Sequence, residues 1–351
     1  MPLHRTFVFC VLFAIVGMLF LYSLSFPSEW TNTFLRQVVP VQERITILPN
    51  GNFSKSVIRE NNDTIQQLED HSKNLSEIFD YFNSTYHQWN ESSFPFPLEN
   101  VPETSFQMLK EFTAQQWEDH VFKLARENLV SNKYLVLNVA SYGHIQFVLN
   151  WIYAMHRIKY TKFLIVCLDD YLYLHLSALN FTDVIAMAPS QWLEKDDFVA
   201  EAVFGSASYH AMIESRSKII YSFLNRTFTV LSTDSDVVWL SPSVIDYLDS
   251  VTEGYDFSCM VDHRVGINMG FFLARPTSIM LELFLQMMKK QNQSHLFDQY
   301  ALEEVLKERQ MRFSSHIFRL DKLLFPSGKV YFLDGWNKRM NIQPLVGQTH
   351  D

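Results

Sequence analysis

TFTVLSTDSDVVWL, residues 227–240, decides how the rest of the chain reads. TFTVLS is a short apolar and β-branched run, the composition of a buried strand. Asp234-Ser235-Asp236 follows it, and VVWL then resumes the apolar pattern. In extended backbone, residues i and i+2 point to one side, so the carboxylates of Asp234 and Asp236 are expected to converge. Two converging carboxylates repel unless a proton or a cation lies between them. Their hard oxygens suit Mg²⁺ or Mn²⁺, ions that bridge to phosphates. A bare D-x-D arises about once by chance in a chain of this composition. Its place at the end of a strand gives it weight, because open α/β sheets bind ligands beyond the carboxyl ends of their strands. The competing reading is a solvated acidic turn.

Outward from that strand the same alternation continues. KYLVLNV (133–139) and FLIVCL (163–168) are apolar runs of strand length. Between them Phe147, Trp151, Met155 and Ile158 recur at spacings of three and four, which predicts a helix. Strand, helix and strand at this spacing imply a βαβ unit and a partly parallel sheet. A helix is expected over 209–224, and another starting with Ser241 as N-cap and Pro242 in its first turn. DFSCMV (256–261) and GFFLA (270–274) read as strands, and SIMLELFLQMMKK (278–290) as a helix with lysines at its carboxyl end. The expectation is an α/β domain over 131–351, with a mixed, Rossmann-like sheet.

The amino-terminal part is different. Thr6 to Phe26 is a run of 21 residues without a charge, long enough as a helix to cross a bilayer core. Arg5 precedes it, so a cytosolic tail (1–5), a signal-anchor (6–26) and a lumenal remainder are expected. The alternative is a cleaved signal peptide. Asn-x-Ser/Thr sequons begin at Asn52, Asn62, Asn74, Asn83, Asn90, Asn180, Asn225 and Asn292. Chance would supply roughly two or three, so N-glycans and the secretory route are expected. Residues 27–130 hold five of the sequons and no strong strand pattern, and read as a glycosylated stem. QMLKEFTAQQWEDHVFKLARENL (107–129) carries helical spacing near its end. A net charge of −9 argues against a nucleic-acid partner. Cys10, Cys167 and Cys259 are too few for a disulfide scaffold. Cys167 and Cys259 are either a single pair or two thiols in apolar strands.

Six stretches, in order, resemble glycosyltransferase family 77, a group of nucleotide-diphospho-sugar transferases. LSTDSDVVWL looks like its D-x-D segment. NVASYGHIQFVLNWIYAM (138–155) resembles its opening segment, and FLIVCLDD (163–170) its second strand. GINMGFFLARPT (266–277) is similar to its Asn-x-Gly-Phe-Phe strand, FDQYALEEVL (297–306) to its Asp-Gln segment, and FPSGKVYF (325–332) to a late strand. The resemblance implies a GT-A fold, one membrane anchor with a stalk, and a type II protein of the Golgi membrane.

It also implies roles. Asp234 and Asp236 would hold Mn²⁺ or Mg²⁺ on a nucleotide-sugar donor, with Asp234 also reaching the ribose. Tyr142 would stack on the uracil of a UDP-sugar. Lys218 matches a basic position near the donor phosphates, with a snorkelling surface lysine as the alternative. Asn268, Asp298 and Gln299 match positions that meet the reacting sugar, and Asp298 alternatively caps a helix. Asp262 is a further candidate for sugar or acceptor contact. His350 matches a third metal ligand, but VGQTHD ends without the family's following Gly and Lys. The expected function is metal-dependent sugar transfer to a hydroxyl of a glycan or glycoprotein, with retention at the anomeric carbon. A glycosidase reading fails because i, i+2 carboxylates sit too close to flank a glycosidic bond. The alternative from another class is a non-catalytic Golgi pseudoenzyme or glycan-binding scaffold.

Overall fold

A computed structural model of the chain describes residues 44–47, 53–56, 100–194, 205–262, 266–333 and 342–348. The expected membrane span at 6–26, the sequons from Asn52 to Asn90 and His350 lie outside the described residues. Among the described residues no helix is long and apolar enough to cross a membrane. The chain forms two compact units, Met1–Phe96 and Pro97–Asp351. In the first, β1 (Arg44–Ile47) and β2 (Phe53–Ser56) pair antiparallel with Arg44 opposite Ser56. The sequence shows no strong strand pattern here because each strand has four residues, the lower limit for reading alternation.

The second unit starts earlier than the change of pattern at residue 131 suggests. Two helices, α1 (Glu103–Glu111) and α2 (Ala114–Glu127), belong to it. The single helical stretch expected over 107–129 breaks at Thr113. Its hydroxyl accepts from the Gln116 N–H, and the Gln116 side chain accepts from the Thr113 N–H, a capping box that starts a new helix. From α2, Val121, Phe122 and Ala125 enter the main core.

The sheet is built from β3 (Leu129–Val130), β4 (Tyr134–Ala140), β5 (Leu164–Cys167), β6 (Ile185–Met187), β7 (Thr229–Thr233), β9 (Phe257–Val261), β10 (Ile267–Ala274) and β11 (Ile317–Arg319). A short β8 (Val237–Trp239) lies outside it and pairs with β12 (Val346–Gln348). The order across the sheet is β11-β9-β10-β7-β4-β5-β6, with β3 on the side of β4. β7, β4, β5 and β6 are parallel to one another, whereas β3 pairs antiparallel with β4 and β10 runs antiparallel to both β7 and β9. Near-continuous burial along β4, β5 and β6 explains their unbroken apolar composition, since helices cover both faces of parallel strands.

α2, α5 (Ala207–Asn225), α7 (Ser278–Ser294) and α8 (Asp298–Glu308) bury their apolar stripes in the main core. The opposite face is aromatic. Trp151 of α3 (Ile145–Arg157) meets Phe163 edge-on at 5.0 Å, and Phe271 lies between Trp239 and Phe325 at 5.7 and 5.4 Å. Aromatic contacts of this kind add to burial. α4 (Asp170–Ala178) follows β5, and α6 (Val244–Val251) follows β8.

Two sequence expectations change, and the choice left open for the cysteines is decided. Ser241-Pro242 does not begin α6. Ser243 is its N-cap residue, and the Ser241 hydroxyl accepts from the Ser243 N–H in the preceding turn. FPSGKVYF is not a strand. Pro326 makes a single parallel bridge to Val261, and 329–333 form a π-helical turn, because a proline without an N–H cannot sustain a ladder. Cys167 and Cys259 are buried free thiols. They sit on β5 and β9 with three strands between, about 19 Å apart at the usual strand spacing, far beyond disulfide reach.

Candidate active site

The chain runs from β4 to β5 to β6 in one direction and then returns through α5 to place β7 on the other side of β4. That reversal opens a crevice beyond the carboxyl ends of β4 and β7. Tyr142 follows β4, Asp169 follows β5 and Asp234 follows β7, so three of the four parallel strands deliver a polar or aromatic group to one edge.

The D-x-D is a turn rather than a continuation of the strand. Val237 N–H donates to the Asp234 carbonyl at 3.1 Å, and Asp234 N–H donates to the Gly270 carbonyl at 2.8 Å. The carboxylates converge because the chain reverses here, not because of strand alternation. Asn138, fully buried in β4, fixes the turn from beneath. Its Nδ2 donates to the Thr233 carbonyl at 3.0 Å, and its Oδ1 accepts from the Ser235 hydroxyl at 3.1 Å. The Thr233 hydroxyl accepts from the indole N–H of both Trp151 and Trp239, each at 3.3 Å.

Arg216 of α5 is the cation beside the carboxylates. It is 5% exposed. Its Nη2 lies 2.7 Å from Asp234 Oδ1 and its Nη1 lies 2.7 Å from Asp298 Oδ2. Nη2 also donates to the Met269 carbonyl at 2.6 Å. One planar guanidinium thereby spans two carboxylates from different elements. Lys218, the basic residue that the resemblance implied, is two positions along the helix and so about 200° around its axis. It pairs with Glu194, and its side chain is 41% exposed. The structure does not bring Lys218 to the carboxylates. The sequence does carry a signal for Arg216, which occupies the apolar stripe Ile213, Arg216, Ile220, Phe223 at spacings of three and four. A charge in that stripe must find partners.

Asp298 is the first residue of α8, with Phe297 in the N-cap position. Its Oδ1 accepts from the Gln299 N–H at 2.7 Å. Gln299 is thus held beside it by the backbone. Asn268 lies in β10, where the pairing with β9 shifts register before Phe272. Its Oδ1 accepts from the Gly270 N–H at 2.7 Å, and its Nδ2 donates to Gln348 Oε1 at 2.9 Å. Gln348 Nε2 in turn donates to Asp236 Oδ2 at 3.2 Å. A Cβ at Gly270 would stand 2.9 Å from both Asn268 Oδ1 and Gln348 Nε2 and 3.4 Å from Asp234 Oδ2. Only glycine leaves room for these polar groups to meet.

Tyr142 opens the turn after β4. Its N–H donates to Asp169 Oδ2 at 2.7 Å, while Asp169 Oδ1 caps α4 by accepting from the Leu172 N–H at 2.9 Å. The Tyr142 ring stands 5.7 Å from His175 and 6.0 Å from Tyr171. Burial pushes the His175 imidazole down to about 4. Asp262 follows β9, and its N–H donates to the Gly266 carbonyl at 3.2 Å.

Two carboxylates, Asp234 and Asp298, share one guanidinium, and Asp236 stands close enough to add its charge to theirs. Burial and the two neighbouring carboxylates raise the Asp234 pKa above the ordinary carboxylate range, despite the pull of Arg216. Its side chain remains 37% exposed, so the group is enclosed from below and open on one side. Among the described residues no three His, Cys, Asp or Glu side chains are placed to hold a metal ion together. A donor set of two carboxylates with surplus negative charge nevertheless fits a hard dication that takes its remaining ligands from phosphates and water.

A model of nucleotide-diphospho-sugar transferases matches residues 158–346, more than half of the chain and a range containing Arg216, Asp234, Asp236, Asn268 and Asp298. The chain is 25% identical over 185 residues to beta-arabinofuranosyltransferase RAY1 of Arabidopsis thaliana, covering 50% of this chain and 33% of that protein. It is 23% identical over 170 residues to UDP-D-xylose:L-fucose alpha-1,3-D-xylosyltransferase 3 of the same plant, covering 48% and 43%. It therefore spans less than half the length of either relative. The crystal structure of the glycosyltransferase GlyE of Streptococcus pneumoniae aligns at 15% identity with a TM-score of 0.44, over 62% of this chain and 55% of that one. With a family match over that span, the chain belongs to the nucleotide-diphospho-sugar transferases.

Proposed function

We propose that this chain is a metal-dependent glycosyltransferase of the GT-A type, moving a sugar from a UDP-linked donor to a hydroxyl of a glycan or glycoprotein. The observation that carries the reading is the Arg216 bridge. It ties Asp234, at the end of β7, to Asp298, at the start of α8, directly beside the turn that presents Asp236. A solvated acidic turn has no use for a buried guanidinium shared with a second carboxylate.

Asp234 and Asp236 are the residues that would hold Mn²⁺ or Mg²⁺. When bound, such an ion supplies Lewis-acid neutralisation of the diphosphate leaving group. The chain's own part is to hold the reactants in register. Tyr142 offers an aromatic face to the base. Arg216 keeps Asp234 and Asp298 at fixed separation, and Asp298, Gln299 and Asn268 accept or donate hydrogen bonds at the transferred sugar. Lys218, paired with Glu194, has no part in this reading. The names of the two plant relatives support pentose donors, UDP-xylose first, and the family resemblance supports retention at the anomeric carbon. The uncharged run at 6–26 and the eight sequons support a type II Golgi membrane protein with a glycosylated stem.

The test is a donor screen. Purified chain with Mn²⁺ is incubated with UDP- and GDP-sugars, and nucleotide release is measured with and without free sugars as acceptors. The expected result is UDP release from one donor, lost in Asp236→Asn and in chelator. Donor binding without release under every condition would favour the scaffold.

A further inference from the structure

Gln348 sits at the end of β12, 8% exposed, between Asn268 and Asp236. Amide oxygens and nitrogens look alike in shape, so their orientation must follow from the bonds around them. Here both ends of the chain of bonds are fixed. The Gly270 N–H can only donate, so the Asn268 atom 2.7 Å away is Oδ1. Asn268 then turns Nδ2, a donor alone, toward Gln348, and the Gln348 atom 2.9 Å away is Oε1. That leaves Nε2 facing Asp236 Oδ2, which accepts at 3.2 Å. Flipping either amide would set two donors or two acceptors face to face.

We propose that Gln348 is a positioning residue for Asp236, aiming its carboxylate through an amide relay anchored on the Gly270 backbone. The inference rests on the reading of Asp236 as a metal ligand. Gln348 presents an N–H to the carboxylate, not a ligand oxygen to the cation, so it orients Asp236 without occupying a coordination position. The strand pairing makes this dependable. Gln348 lies opposite Val237 in the β12–β8 ladder, one residue beyond Asp236. A slip of one residue would turn its side chain to the other face. Second-sphere partners of this kind typically change metal affinity by about 10- to 100-fold when removed.

The experiment titrates Mn²⁺ alone into the full chain, following bound metal by electron paramagnetic resonance, for wild type, Asp236→Asn, Gln348→Met and Gln348→Asn. Met fills the same volume without hydrogen bonds, and Asn keeps the amide but is one methylene too short to span the gap. Both are expected to weaken Mn²⁺ binding by about tenfold with native near-ultraviolet circular dichroism. A residue needed only for packing would leave Gln348→Met with wild-type affinity, and that result overturns the proposal. A wild type that binds Mn²⁺ no better than Asp236→Asn overturns the metal reading and the proposal together. A second measurement needs no variant fold. In wild type, the Gln348 side-chain amide signal should shift on Mg²⁺ titration, and an unmoved signal would also overturn the proposal.

Discussion

The two aspartates of one short motif are held by opposite means. Asp234 is gripped by a buried guanidinium that also grips Asp298. Asp236 is held by a neutral carboxamide that leads back to a backbone N–H. A shared charge of this kind is expensive to disturb, because removing one partner leaves the others desolvated and uncompensated. A neutral relay is cheaper to break but more exacting in direction, since each amide has one correct orientation. The charged arm secures the fold around the site, and the neutral arm tunes the aim of one carboxylate.

The largest effect should come from Arg216. Arg216→Met leaves Asp234 and Asp298 facing each other, and is expected to cost about 3–5 kcal/mol of stability as well as donor turnover. Urea unfolding of the two proteins measures it. Arg216→Lys should recover only part, because an ammonium lacks the fork that spans two carboxylates. Equal stability of wild type and Arg216→Met would remove the charged arm from the account.

The edge around Tyr142 gives an intermediate effect that depends on pH. His175 packs against the Tyr142 ring, and burial holds its pKa at about 4, against 6.5 when unfolded. Between those values the unfolded state binds the extra proton, so stability falls as pH drops from 6.5 towards 4. The loss should reach roughly 3 kcal/mol at the lower end. His175→Phe should flatten that part of the stability–pH curve, and an unchanged slope would place the titration elsewhere.

The smallest effect separates the two basic residues of α5. Lys218→Ala removes a partly exposed pair with Glu194 and should shift stability by less than about 1 kcal/mol. Donor KM should not move. A large rise in KM would return Lys218 to the donor phosphates.

The sequence carried most of the sheet and part of the site. β4, β5, β7, β9 and β10 were readable as apolar runs, because strands buried on both faces keep nearly unbroken apolar composition. α1 and α2 read as stem, since nothing local says that Val121 and Phe122 enter the core of the sheet domain. The break at Thr113 was legible in principle from Thr113-x-x-Gln116. Asp234 and Asp236 stood out by their place at a strand end, although the turn that joins them did not. Arg216 was hidden among the polar residues Glu214, Ser215, Ser217 and Lys218, and only the apolar stripe around it marks it. Gln348 and Asn138 left no local trace. Their roles come from long-range pairing, across 80 residues from Asn268 to Gln348 and 97 from Asn138 to Ser235.

Ligand-dependent thermal melting tests the central reading most directly. Wild type and Asp236→Asn are each melted alone, with Mn²⁺, with UDP, and with both. A ligand that binds only the native state stabilises it by mass action, so wild type should melt several degrees higher with Mn²⁺ and UDP together than with either alone. Asp236→Asn should match or slightly exceed wild type without ligand, because one repelling charge is gone, and should gain nothing from the pair. An equal rise in both proteins would show that Asp236 is not a ligand.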